Sequence, residues 1–98
     1  MEITKEETDS KGRFVAKDGD TEMGEMTYSV ANEGQLIIVD HTGVNAAYEG
    51  QGVAKGLFNH MVEAVRAEDR KVMPLCPFAR AQFEKNKDLW DVLRHNSL

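Results

Sequence analysis

The 98-residue sequence has one cysteine, Cys76, so neither an intrachain disulfide nor a cysteine-rich metal site can form within it. It lacks any apolar run approaching membrane-spanning length. Its first residues, Met1 to Glu7, are too charged for a secretory leader. Linkers, repeats and low-complexity stretches are missing too, which leaves one small domain over residues 1–98. Positive charge is not in surplus: 17 Asp and Glu face 12 Lys and Arg, a net of −5. That balance argues against nucleic acid as the main partner. Neither the dinucleotide glycine fingerprint nor the Gly-Lys-Ser/Thr of a Walker loop occurs. The expectation is a reducing, cytoplasmic setting, with no membrane partner and no metal.

What is present is ample for a core, at 41% hydrophobic residues. The first half reads as β. Residues 13–17 form a short strand closed by Asp18-Gly19-Asp20, a strong turn signal. Residues 22–30 alternate, with Met23, Glu25, Thr27 and Ser29 on one face and Gly24, Met26, Tyr28 and Val30 on the other. Residues 35–42 hold Leu36 to Val39 in unbroken succession, the pattern of a central strand covered on both faces. The period then changes. Val53, Leu57, Met61 and Val65 recur at helical spacing across 52–69. A strand over 71–76 stops at Pro77, and a second helix follows over 79–87, anchored by Ala79, Phe83 and Trp90. The order is β-β-β-α-β-α, an α/β chain with a mixed sheet. A right-handed crossover sets strand 71–76 parallel to strand 35–42.

This order gives the stretch Tyr48 to Leu57 its meaning. Gly50, Gly52 and Gly56 lie at the start of the first helix, at the carboxyl end of a central strand. Glycines there let backbone N–H groups approach an anion, and the helix dipole adds positive potential. Cys76 ends the neighbouring parallel strand, at the edge where such sheets take ligands. Charge is divided as well: residues 1–49 carry 11 Asp and Glu against 4 Lys and Arg, and residues 50–98 carry 6 against 8. The acidic half suits a cationic substrate and the second half a phosphorylated ligand.

The turn Glu49-Gly50-Gln51-Gly52-Val53-Ala54 and the order of elements resemble the GNAT superfamily of acetyl-CoA-dependent N-acetyltransferases. Its signature is Gln/Arg-x-x-Gly-x-Gly/Ala. Gly52 and Ala54 match its last two positions, and Glu49 stands where Gln or Arg is usual. Together with His41-Thr42-Gly43-Val44 and Val72-Met73-Pro74-Leu75-Cys76-Pro77-Phe78, the turn is similar to the roughly hundred-residue GNAT-like proteins over residues 12–93. These lack the helices that larger members insert between their first two strands. The resemblance implies a minimal acyl-CoA N-acyltransferase fold and acetyl transfer from acetyl-CoA, or coenzyme A, to an amine.

It implies a coenzyme site at Val44, Glu49, Gly50, Gln51, Gly52, Val53, Ala54 and Lys55, with Asn86 and Lys85 along the coenzyme arm. Lys55 and Arg80 are candidates for its 3′-phosphate. Cys76 corresponds to the small subfamily's active-site cysteine, either forming an acetyl-cysteine or protonating the leaving thiolate. His41 is the candidate base, because an imidazole accepts protons near neutral pH. Larger members use a tyrosine on the last helix as acid, and Phe83 occupies the corresponding stretch here. The competing function is a coenzyme A-binding regulatory module with little or no catalysis. The expected assembly is a monomer or weak dimer, and the expected acceptor a cationic amine.

Overall fold

The computed structural model describes residues 1–98. Five strands form one sheet: β1 (Glu2–Glu7), β2 (Lys11–Asp18), β3 (Thr21–Ala31), β4 (Leu36–Val44) and β5 (Lys71–Pro74). They lie side by side in sequence order. The first four are antiparallel, and β5 runs parallel to β4 with Leu36 to Val39 opposite Lys71 to Pro74. Helix α1 (Val53–Ala67) joins β4 to β5, and α2 (Pro77–Lys85) follows β5. A parallel bridge then sets Leu93 against Val72 on the outer side of β5. The fold is the mixed α/β arrangement that the two sequence periods imply.

Strand β1 is one more than the expected three before the first helix. Four of its six residues are charged, which hides a strand from any reading based on alternating apolar residues. It forms because it pairs with β2 along its whole length and is pinned by charge. Arg70 donates from both terminal nitrogens to Glu7 at 2.8 Å, and Lys5 Nζ lies 2.6 Å from Glu68.

Both crossovers, β4-α1-β5 and β5-α2-Leu93, advance in the same direction across the sheet. Right-handed connections then place both helices on one face. A single hydrophobic cluster confirms this, joining Phe14, Met26, Tyr28, Ile37, Val39 and Val72 of the sheet to Leu57, Phe58 and Met61 of α1 and Phe83 of α2. Phe58 meets Phe83 and Phe78 edge-on, at 5.0 and 6.4 Å between ring centres. The other face carries no helix. The reading of 35–42 as a strand covered on both sides is therefore corrected: Ile38 on the uncovered face is only half-buried.

Two bulges break the alternation. In β3, Ala16 faces Gly24 while Lys17 faces Glu22, so Met23 is an extra residue. Met23 and Met26 both end in the core, whereas strict alternation sets them on opposite faces. In β4, Thr27 faces His41 while Tyr28 faces Val39, so Asp40 is the extra residue. Trp90, an expected core anchor, is 43% exposed. It holds the C-terminal segment by donating its indole N–H to the Phe83 carbonyl at 2.7 Å.

Candidate functional site

Pairing between β4 and β5 ends at Val39 and Pro74. The next two peptide N–H groups, of Leu75 and Cys76, both donate to the Val39 carbonyl, at 2.8 and 2.9 Å. The chain then turns into α2 while β4 continues to Val44. The two paths separate and leave a notch at the carboxyl edge of the sheet. A strand edge that loses its neighbour keeps backbone donors and acceptors for another partner.

The turn after β4 borders this notch. Asn45 shapes it, its side chain accepting from the Ala47 N–H at 3.1 Å. Tyr48 tucks against the core, and Glu49 and Gln51 point to solvent. Gly50 and Gly52 take φ of +79° and +77°, a left-handed backbone that glycine enters freely. Gly52 is the N-cap of α1, with no side chain to cap it. The first helical bond runs from the Gly56 N–H to the Gly52 carbonyl, so the N–H groups of Val53, Ala54 and Lys55 have no partner within the helix. Nothing lies within 4 Å of where a Cβ on Gly50 or Gly52 would stand. Val53 is buried and fixes the helix against the sheet, while Lys55 is exposed beside the free amides. Val44 is half-buried at the end of β4.

Across the notch stands Cys76, 3% exposed. It is the N-cap of α2, with Pro77 in the first helical position, where a proline's missing N–H costs nothing. Its Sγ lies 3.4 Å from Oγ1 of Thr42. Thr42 faces Met26 in the register and therefore lies on the helix-covered face. Its alternation with His41 sends the imidazole to the uncovered face, where His41 leans over Gly43. The two expected reactive side chains thus lie on opposite faces of the sheet. Thr42, which the sequence reading passed over, is the side chain that Cys76 touches. Asn86 is not brought to the notch. It ends α2, about 13 Å of helix away from Cys76, and its side chain donates to the Gln82 carbonyl at 2.8 Å. Lys85 lies at that same end, and Arg80 lies near Glu84 at 4.0 Å.

On the uncovered side, a shallow cavity of about 320 Å³ abuts the end of β4, lined by Arg13, Glu22, Gly24, Glu25, Gly43, Val44 and Asn45. Arg13 bonds three carboxylates, those of Glu25, Glu6 and Glu22. These bonds, Glu25 foremost, raise its pKa above that of a free guanidinium. Three carboxylates on one cation leave net negative charge beside this cavity. The other perturbed cluster lies at the far end of the sheet. There Arg70, aided by the Tyr28 hydroxyl at 2.7 Å, lowers Glu7 to about 2 against the cost of burial. Burial and the bond to Glu7 in turn raise Tyr28. His60 packs its ring on Phe14, 5.7 Å between centres, which fits a structural role.

Comparison with known proteins gives this geometry a context. The profile of the family described as GCN5-related N-acetyl-transferase matches residues 13–93. No curated protein sequence matches the chain. Among solved structures, a GCN5-like candidate N-acetyltransferase from Staphylococcus aureus is 32% identical with a TM-score of 0.68, over 97% of this chain and 92% of that one. A ribosomal-protein-alanine N-acetyltransferase from Brucella melitensis is 20% identical with a TM-score of 0.65, over 78% of this chain and 60% of that one. An aminoglycoside N-acetyltransferase in complex with CoA is 14% identical with a TM-score of 0.53, over 84% of this chain and 68% of that one. No helix is long and apolar enough to cross a membrane.

Proposed function

Because the chain belongs to the family of GCN5-related N-acetyl-transferases, we propose that it moves an acetyl group from acetyl-CoA to an amine across the notch between β4 and β5. The observation that carries this reading is the division of reactive groups, with His41 on the uncovered face of the sheet and Cys76 on the helix-covered face. A transfer needs a base for the incoming amine and an acid for the departing thiolate, and each face of the sheet carries one candidate.

The chain's groups fit the coenzyme. The free amides of Val53, Ala54 and Lys55 suit a pyrophosphate, and the cradle at Gly52 has room where any other residue would carry a Cβ. The ammonium group of Lys55 can add a charge-assisted contact. Glu49 does not oppose this, since recognition runs through the main chain and its exposed side chain can turn away. Bound there, the coenzyme supplies an activated thioester. The rest falls to this chain. His41 takes a proton from the amine, and Cys76 gives its proton to the sulfur that leaves. The acceptor approaches over the uncovered face, where Glu22 and Glu25 favour a cationic amine. Asn86 and Lys85 have no part in this reading.

Incubation with labelled acetyl-CoA and a panel of amines tests it. Label should pass to cationic amines, and Cys76→Ala should cut the transfer sharply while keeping the fold and most coenzyme affinity. If acetyl-CoA binds and no amine is labelled, the chain is instead a coenzyme A-binding regulatory module. The buried Phe83, in place of a tyrosine that could donate a proton, favours that second reading. Mass spectrometry under rapid quench separates the routes through Cys76. An acetyl adduct on Cys76 means an acetyl-cysteine, and its absence means direct attack by the amine.

A further inference from the structure

Cys76 is held at two points, its backbone and its sulfur, by the same strand. Its own peptide N–H donates to the Val39 carbonyl at 2.9 Å, and its Sγ lies 3.4 Å from Thr42 Oγ1. Val39 and Thr42 stand on either side of the Asp40 bulge, so β4 grips the cysteine across its own irregularity. Cys76 is almost fully buried, so few waters compete for the thiol. Threonine is β-branched and stiff at χ1, so its hydroxyl stays near one place. That hydroxyl can accept a hydrogen bond and also donate one.

We propose that Thr42 is the positioning residue for Cys76, accepting its S–H at rest and donating its own O–H to the sulfur once the thiol proton has left. The inference rests on the role given to Cys76 above. In the transfer, the amine nitrogen bonds to the carbonyl carbon and the carbon–sulfur bond breaks, its electron pair staying on the departing sulfur. The Cys76 proton moves to that sulfur. The cysteine then carries the negative charge, and Thr42 rotates its hydroxyl hydrogen towards it. The proton that His41 takes from the amine returns to the thiolate through water, so each turnover balances without an oxidant or reductant.

Full-length Thr42→Val and Thr42→Ser test this, the first keeping the shape without the hydroxyl and the second keeping the hydroxyl. In the free protein, alkylation of Cys76 by iodoacetamide should slow about fivefold in Thr42→Val, because a thiolate reacts faster than a thiol. Thr42→Ser should restore most of the rate. In turnover, Thr42→Val should lower kcat about tenfold, the worth of one hydrogen bond to a charged group, with KM for acetyl-CoA within about twofold. Wild-type alkylation and kcat in a folded Thr42→Val overturn the inference. So does a tenfold loss in Thr42→Val that Thr42→Ser does not repair. Failure of the underlying role looks different: Cys76→Ala then transfers at the wild-type rate.

Discussion

Gly52 sits at φ +77° with open space where a side chain would go. Valine there meets no clash but must hold a left-handed backbone, at a cost of roughly 1–2 kcal/mol. Its branched methyls would also stand over the free amides. Gly52→Val should therefore lose some stability and, more markedly, at least tenfold in coenzyme A affinity by calorimetry. A folded variant with unchanged affinity would remove this turn from the site. Glu7 makes a second prediction. Its pKa falls from 4.5 to about 2 on folding. The stabilisation is thus complete above the unfolded value and fades as pH drops from 4.5 towards 2. Glu7 remains partly exposed, so screening leaves roughly 1–2 kcal/mol. Thermal melts of wild type and Glu7→Gln should converge as the pH falls through that window; a constant gap would assign the stability to something other than ionisation. At this scale the glycine turn at Gly52 and the helix start at Cys76-Pro77 were legible in the sequence, because turn and cap chemistry is local. Thr42's contact was not, because its neighbour caps a helix thirty-four residues further along the chain.

Elements were legible where a face is apolar. Helix α1 follows its stripe of Val53, Leu57, Met61 and Val65, all of them buried. Strand β1 was illegible because its stability is relational: β2 supplies its hydrogen bonds, and Glu68 and Arg70 supply its counter-charges. The bulges at Met23 and Asp40 were also out of reach, since alternation read along one strand cannot reveal that its partner skips a residue. The second bulge decides which side chains at the end of β4 face the helices. Counted strictly by twos from Val39, His41 would face inward and Thr42 outward, and the supernumerary Asp40 reverses both. Close fit between elements gives a third prediction. A Cβ on Gly12 of β2 would enter the ring of Tyr28 on β3. That ring is buried and tied to Glu7, so it has little freedom to retreat. Gly12→Ala should cost about 1–3 kcal/mol in denaturant unfolding, as overpacking does. A neutral result would show that β2 and β3 can shift apart.

At the scale of the whole molecule, one sheet face is covered and the other open. The open face carries Arg13 with its three carboxylates, and beside them the cavity at the end of β4. If this face receives the acceptor, transfer to a polyamine should outpace transfer to a neutral amine at low salt, and the ratio should shrink as salt rises. Glu22→Gln with Glu25→Gln should erase the preference. Equal rates for both acceptors at low salt would mean that the charge plays no part. The sheet's spatial order has a kinetic consequence as well. Every antiparallel pair joins strands that follow each other directly in the chain, so its ends meet through a short loop. The parallel joint of Leu36–Val39 with Lys71–Pro74 instead waits for a whole helix to form and dock. It should be the last seam to close as the chain folds and the first to open in native-state hydrogen exchange. The notch begins where that seam ends, so the groups gathered there meet only when the rest of the molecule is already built.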